Sequence, residues 1–127
     1  SNYLYAIGGF NQSSMRDCER LSVSEDRWEA LEPLPLRCNS ASVIVVKEAQ
    51  CLFTLGEYGD DNELDLVMRL SLVGFVWDLV PIRLPFETCN VASFSQDGSR
   101  VLFEVDEKLY CMNALTEFSI TLIKQVG

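Results

Sequence analysis

Apolar and polar residues alternate along several short stretches of this chain. The longest example is the run 64–72, in which Leu64, Leu66, Met68, Leu70 and Leu72 alternate with Asp65, Val67, Arg69 and Ser71. A period of two predicts a β-strand with one buried face, whereas an amphipathic helix needs apolar residues three and four positions apart. No stretch shows convincing helical spacing, so the pattern predicts an all-β chain.

Two hairpins are predicted from short β-branched and aromatic runs. Residues 42–47 and 51–55 flank the polar stretch 48–50, and residues 92–94 and 100–105 flank the stretch 95–98. The second of these turns contains Asp97–Gly98, and an Asp-Gly pair favours a tight hairpin turn.

The sequence also repeats itself with a period of about 50 residues, which is typical of a repeat protein with one supersecondary unit per period. The matching segments keep their order along the chain: Arg20–Leu21–Ser22 with Arg69–Leu70–Ser71, Trp28 with Trp77, Leu34–Pro35 with Leu84–Pro85, Cys38–Asn39–Ser40–Ala41–Ser42 with Cys89–Asn90–Val91–Ala92–Ser93, and Leu52–Phe53 with Leu102–Phe103.

Roughly four strands in each period is the content of one β-propeller blade. We therefore predict blades made of four-stranded antiparallel sheets. Residues 1–37 are the end of one blade, 38–88 a second blade and 89–127 part of a third. Closed propellers have about four to eight blades. Because this sequence contains fewer blades than that, we predict an incomplete ring that needs further blades from the same or another chain.

The first third of the chain combines a glycine pair, a tryptophan and prolines. The stretch YLYAIGGF, residues 3–10, is an apolar strand that ends in the pair Gly8 and Gly9. Trp28 follows, and the stretch LEPLPLR then supplies prolines and Arg37. This combination resembles a kelch repeat. The resemblance implies a propeller of kelch type, in which the glycine pair ends an inner strand and the tryptophan packs across the blade as a core anchor.

The later copies are less regular. The second copy keeps Gly56 and Trp77 but has Glu57 where the second glycine would stand, which predicts a less regular turn. The third copy has no glycine pair. Its stretch FSQDGSRVL is also similar to part of a WD-type repeat, which is the alternative within the propeller class. Arg37 has two interpretations, an ion pair inside the blade or a place on a recognition face.

Composition and charge exclude several classes of function. The formal net charge is -9, which argues against nucleic acid as a partner. The chain has no histidine, the commonest general base and metal ligand, so we predict no enzyme, cofactor or metal site. The longest apolar run, 67–80, contains Arg69 and Asp78, so no membrane span is predicted. The five scattered cysteines are interpreted as buried free thiols of a cytoplasmic protein rather than as disulfides.

Two polar loops are the predicted partner-binding residues. The loop after the first glycine pair offers hydrogen-bonding groups, and the corresponding loop of the second copy is rich in carboxylates that would attract a basic protein. Calcium is a weaker alternative for the second loop, because its spacing is not that of an EF-hand. The predicted residues are Asn11, Gln12, Ser13, Ser14 and Arg16 in the first loop and Glu57, Tyr58, Asp60 and Asp61 in the second.

The resemblance implies a non-catalytic scaffold that presents propeller loops to a protein partner. Two roles follow from it, the substrate-recognition part of a ubiquitin ligase and a cytoskeleton-associated protein. The alternative is a piece of a propeller enzyme whose catalytic residues lie in blades that are not in this sequence. Fold alone does not choose among these, because one fold hosts many functions.

Overall fold

The computed structural model describes residues 2–9, 15–59, 66–80, 93–97, 100–105, 107–113 and 120–125. These ranges contain eleven strands and one short 3-10 turn (Lys47–Ala49), and no helix in them is long and apolar enough to cross a membrane. The strands are β1 (Tyr3–Ile7), β2 (Cys18–Ser22), β3 (Arg27–Leu31), β4 (Cys38–Val46), β5 (Cys51–Tyr58), β6 (Met68–Ser71), β7 (Trp77–Leu79), β8 (Ser93–Asp97), β9 (Arg100–Val105), β10 (Lys108–Asn113) and β11 (Ile120–Gln125). The predicted all-β fold is confirmed.

The strands form three antiparallel sheets in which each strand pairs with its neighbour in sequence. Sheet 1 contains β1, β2 and β3, sheet 2 contains β4 to β7, and sheet 3 contains β8 to β11. No described sheet closes into a ring, which agrees with the predicted incomplete propeller. The last segment, from which we expected only part of a blade, contains a sheet with as many strands as sheet 2.

Both predicted hairpins are present, with one difference in the turn. Strands β4 and β5 are joined through residues 47–50, and Gln50 takes up the left-handed conformation with φ of 49°. In the second hairpin Asp97 pairs with Arg100, so the connection is 98–99 rather than the predicted 95–98. The strand predicted over 64–72 is also shorter than the alternation suggested, because β6 covers only Met68–Ser71.

The repeat seen in the sequence appears in sheets 1 and 2 as an equivalent cross-strand ion pair. Arg20 on β2 lies opposite Glu29 on β3 and forms an ion pair with it. Arg69 on β6 lies opposite Asp78 on β7, and Arg69 Nε donates a hydrogen bond to Asp78 Oδ1 at 3.0 Å. Sheets 1 and 2 therefore have equivalent cross-strand pairs as well as similar sequences.

The sheets stack face against face, and two apolar clusters fill the junctions. We call the face of a sheet that is directed toward the preceding sheet its front face, and the opposite one its back face. The first cluster joins the back face of sheet 1 (Tyr5, Ile7, Cys18 and Leu31) to the front face of sheet 2 (Leu52, Met68, Leu70 and Trp77). The second joins the back face of sheet 2 (Cys51, Phe53 and Leu55) to the front face of sheet 3 (Val101, Phe103 and Met112).

This stacking corrects one detail of the predicted repeat. Phe53 and Phe103 lie in the same cluster and face each other across the second junction. In units that repeat around a common axis, equivalent residues point in the same direction, so these two residues are not equivalent. The alignment of Leu52–Phe53 with Leu102–Phe103 is therefore wrong by one residue, and a shift of one residue moves a side chain to the opposite face of a strand.

The two tryptophans differ although the sequence predicts the same anchoring role for both. Trp77 is 8% exposed, lies in the first cluster, and its Nε1 donates a hydrogen bond of 2.7 Å to the backbone carbonyl of Glu32 after β3. Trp28 is 50% exposed. Trp77 therefore packs against the preceding sheet, whereas Trp28 lies on a face that no described sheet covers, so its anchoring role stays a prediction.

Candidate functional site

The predicted glycine pair closes the first loop onto the start of β4. Gly8 N–H donates to the carbonyl of Asp17, and Gly9 N–H donates to the carbonyl of Cys38, each at 2.8 Å. Met15 N–H donates to Gly9, and Cys38 N–H donates to Met15, each at 2.9 Å. Two of these four bonds, those made with Cys38, therefore hold both ends of the loop against the first residue of β4, and the other two close the base of the loop.

Glycine is required at the first of these positions for two reasons. Gly8 has φ of +64°, in the left-handed region that residues with a side chain rarely adopt. A Cβ atom at this position would also lie 2.5 Å from the carbonyl oxygen of Cys38. Gly8 thus permits the close approach of sheets 1 and 2.

The second loop begins beside the start of β4, on the side opposite to the first loop. Strand β5 runs on through Glu57 to Tyr58, which pairs with Cys38. The left-handed turn then falls at Gly59, with φ of +70°, and Gly59 N–H donates to the carbonyl of Arg37 at 2.8 Å. The strand therefore extends past the position of the missing second glycine, and the irregular turn expected at Glu57 comes two residues later.

We call this region the loop end and define it as Gly8, Gly9, Met15, Arg16, Arg37, Cys38, Glu57 and Gly59, with the two loops that they support. Among the predicted binding residues, Arg16 is exposed, and its Nε donates to the carbonyl of Leu34 at 2.7 Å. Glu57 is half-buried, with Oε2 3.5 Å from Nδ2 of Asn39. Arg16 and Glu57 thus lie on opposite sides of the start of β4.

One predicted binding residue lies inside the molecule. Tyr58 is 1% exposed, belongs to the first cluster and donates a hydrogen bond from its hydroxyl to the carbonyl of Thr54 at 2.5 Å. Burial raises its pKa well above the usual value, so the phenol stays protonated. A partner cannot reach Tyr58 in this fold. The remaining predicted residues, Asn11, Gln12, Ser13, Ser14, Asp60 and Asp61, lie outside the described residues.

Arg37 lies at the surface rather than inside a blade. Its side chain is exposed, and with Arg16, Pro35, Leu36 and Gly59 it lines an open depression of about 370 Å³. Its two sequence interpretations, an ion pair and a place on a recognition face, both stay predictions. The described part of the loop end therefore carries two exposed arginines, Arg16 and Arg37, and the half-buried carboxylate of Glu57.

The sequence analysis missed Gly59 and Asn39. Gly59 could have been found from the turn chemistry of the stretch YGDD, since glycine followed by aspartates is typical of turns. Asn39 carried no sequence signal for its contact with Glu57, because that contact depends on the pairing of β4 with β5. In the part of the chain that the structure describes, no three carboxylates or thiols lie close enough together to hold a metal ion.

Comparison with known proteins agrees with the kelch resemblance of the first third of the chain. The profile of the Kelch motif matches residues 1–35. A kelch repeat-containing protein of Dictyostelium discoideum is 29% identical to it over 84 residues, which are 63% of this chain and 13% of that protein. The predicted kelch resemblance is confirmed, and the match spans only a small part of the relative. Kelch repeats are in general non-catalytic modules that bind other proteins.

Three buried cysteines, Cys18, Cys38 and Cys51, give a prediction about pH. Burial raises the pKa of the Cys38 thiol to about 12, and burial also raises the pKa values of Cys18 and Cys51. The unfolded chain loses these protons first, near the ordinary value of 9.0, so rising pH favours unfolding. The free energy of unfolding should be flat below about pH 8 and fall above about pH 9, by up to about 1.4 kcal/mol per pH unit for each thiol.

Urea unfolding at several pH values between about 7 and about 10.5 measures this slope. Cys38→Ala should make the decline less steep, whereas Ser24→Ala, a change at the opposite end of sheet 1, should leave it unchanged. A slope that is the same in Cys38→Ala and in the parent chain would contradict the assignment to Cys38.

Proposed function

We propose that this chain is a non-catalytic scaffold that presents the loop end to a protein partner. The observation that carries the proposal is the convergence of two sequence-predicted loops on one strand end, the start of β4. Main-chain hydrogen bonds fix both loops on a rigid sheet, which is the arrangement by which many scaffolds position variable binding residues. The general role of kelch repeats in protein binding supports the same conclusion.

In this proposal the partner-binding residues are Arg16 and Glu57, together with Asn11 to Ser14, Asp60 and Asp61 on the loops. Tyr58 is left out because it is buried. We propose a basic partner, because the carboxylates of the second loop and the formal net charge of -9 favour the approach of positive charge. Arg16, whose side chain is exposed, would bind a carboxylate of the same partner and so help to set its orientation.

The wider role is also part of the proposal. We assign the chain to one portion of a cytoplasmic propeller, with blades at 1–37, 38–88 and 89–127, that is completed by further blades. Its partner would be a substrate of a ubiquitin ligase or a component of the cytoskeleton. The relative matched above is much longer than the matched segment, so these functions of a whole protein rest on the repeat alone.

A capture experiment with charge-matched variants tests the proposal. The loop variant carries Glu57→Gln, Asp60→Asn and Asp61→Asn, and the control carries Glu25→Gln, Asp26→Asn and Glu48→Gln at the far ends of the same sheets. Both lose three negative charges. A protein that binds the loop end should be captured equally by the parent and the control, and about tenfold more weakly by the loop variant and at high salt. Identical capture by all three chains would refute binding at this surface.

A further inference from the structure

Two buried cysteines lie on opposite sides of the first junction. Cys18 is on the back face of sheet 1 and Cys38 is on the front face of sheet 2, and both belong to the first cluster. Cys18 is 5% exposed and Cys38 is fully buried, and both are free thiols. The second cluster differs, because Cys51 is its only cysteine among the described residues.

Gly8 is a direct neighbour of both cysteines. It follows Ile7, which pairs with Cys18, and its N–H donates to the carbonyl of Asp17. On its other side, a Cβ atom added to Gly8 would lie 3.3 Å from Cβ of Cys38. Because glycine has no side chain, this position brings both cysteines close to one stretch of backbone and places no side chain of its own between them.

The two thiols are held only by weak hydrogen bonds. Cys18 Sγ donates to the carbonyl of Arg16 at 3.5 Å, and Cys38 Sγ donates to the carbonyl of Asn39 at 3.9 Å. A thiol is a weak donor, so turning either sulfur toward the other gives up little hydrogen-bond energy.

An open depression of about 340 Å³ leads from the surface to the first of these thiols. Cys18 and Gly8 line it together with Met15, Asp17 and Pro33, and Cys38 does not. A small neutral oxidant can therefore reach Cys18, whereas Cys38 stays inside the junction. An accessible cysteine beside a second, resolving cysteine is the arrangement by which proteins form reversible disulfides under oxidation.

We propose that hydrogen peroxide converts Cys18 and Cys38 into a disulfide that joins sheets 1 and 2 at the loop end. The Cys18 thiolate attacks one peroxide oxygen, the O–O bond breaks, and hydroxide leaves, which gives a sulfenic acid on Cys18. The Cys38 thiolate then attacks that sulfur, the S–S bond forms, the S–O bond breaks, and a second hydroxide leaves. The two thiol protons convert the hydroxides to water, so two thiols are oxidised while one peroxide is reduced to two waters.

This inference goes beyond the proposed partner binding and does not depend on it. The bridge would fix covalently the base of the first loop, which main-chain hydrogen bonds of Gly9 and Met15 already hold against Cys38. Failure of oxidation would leave the capture experiment unaffected, and failure of capture would leave the two thiols unaffected.

Peptide mapping of the full chain after peroxide treatment tests the proposal. The reduced chain is treated with hydrogen peroxide, catalase removes the excess, N-ethylmaleimide blocks the remaining thiols in urea, and trypsin cleaves the product. The tryptic peptides 17–20 and 38–47 should appear as one cross-linked species. Burial raises the pKa of the Cys18 thiol, so each unit of added pH near neutrality should speed the reaction about tenfold through the thiolate fraction.

Three alanine variants assign the roles of the cysteines. Cys38→Ala lacks the second thiol, so Cys18 should be oxidised further to a sulfinic acid without any bridge. Cys18→Ala should leave Cys38 reduced. Cys51→Ala is the matched control, because Cys51 is 4% exposed but lies in the second cluster, and it should form the bridge at the rate of the parent. Urea unfolding midpoints of the untreated variants confirm that each one is folded.

A second measurement shows whether the bridge fits the folded chain. The oxidised parent should unfold at a higher urea concentration than the reduced parent, because the bridge restricts the segment 18–38 in the unfolded chain. Dithiothreitol should reverse this increase, and peroxide-treated Cys38→Ala should not show it.

Four outcomes would overturn the proposal. The first is a folded parent chain whose Cys18 does not react with peroxide. The second is a parent in which Cys18 becomes a sulfinic acid as readily as in Cys38→Ala. The third is a bridge from Cys18 to a cysteine other than Cys38. The fourth is an oxidised chain that unfolds at a lower urea concentration than the reduced chain.

Discussion

Trp77→Ala should lower the free energy of unfolding by about 3 to 5 kcal/mol, the range for truncating a large buried aromatic side chain. The loss combines the burial of Trp77 in the first cluster with its hydrogen bond to the carbonyl of Glu32. Because that bond joins β7 to the segment after sheet 1, the substitution should loosen the junction between two sheets. Urea unfolding at low protein concentration measures the change.

Trp28→Ala is the matched control, since the two tryptophans occupy the same position of the repeat. Trp28 is half-exposed, so its removal should cost less than about 1 kcal/mol in the monomer. Trp77→Phe should fall between the two, with a loss of about 1 kcal/mol from the missing N–H donor. Equal losses for both alanine variants would show that Trp77 does not anchor the junction.

Gly8→Ala should lower the free energy of unfolding by about 3 kcal/mol, because it adds a left-handed residue and an overpacked contact at once. The new methyl group would meet the carbonyl oxygen of Cys38, which itself accepts the hydrogen bond from Gly9. Relief of the clash requires β4 to move away from the first loop. Partner binding at the loop end should therefore weaken together with stability.

Gly74→Ala provides the comparison for this substitution. A Cβ atom at Gly74 would meet nothing within 4 Å, so the expected change in stability is within about 0.5 kcal/mol. Chemical unfolding measures the free energy of unfolding of both variants. If Gly8→Ala were as stable as Gly74→Ala, the requirement for glycine at the junction would be wrong.

The sequence was sufficient to predict features that depend on local pattern. Alternation of apolar residues predicted the strands, and the period of about 50 residues predicted separate sheets with related register. The glycine pair and Trp77 were recognised because their spacing is specific. These features depend on short segments of the chain, so they can be found from a single sequence.

Features that depend on neighbouring sheets were harder to predict. The exposure of Trp28 depends on whether another sheet covers its face, and the sequence of sheet 1 does not show whether such a sheet is present. The burial of Tyr58 depends on the extra length of β5, which the pattern around Gly56 and Glu57 did not reveal. The register of Phe103 was wrong by one residue because two apolar faces alternate along the same strand.

The candidate site was predicted in outline but not in its geometry. The two loops were chosen from composition, and the structure shows that their bases meet at the start of β4. Arg37 has two sequence interpretations, because its spacing from the prolines says nothing about the direction of its side chain. Its position beside Arg16 follows from the path of the segment between sheets 1 and 2.

The hydrogen bonds of Gly9, Met15 and Gly59 that hold the bases of the two loops beside the start of β4 are made by backbone atoms. In the proposed function, amino-acid changes within the loops would therefore alter what is recognised while the separation between the loop bases stays the same. In that proposal the backbone sets where the loops begin, and the loop side chains set which partner is bound. Related chains could acquire new partners through loop substitutions without having to rebuild the frame on which those loops are mounted.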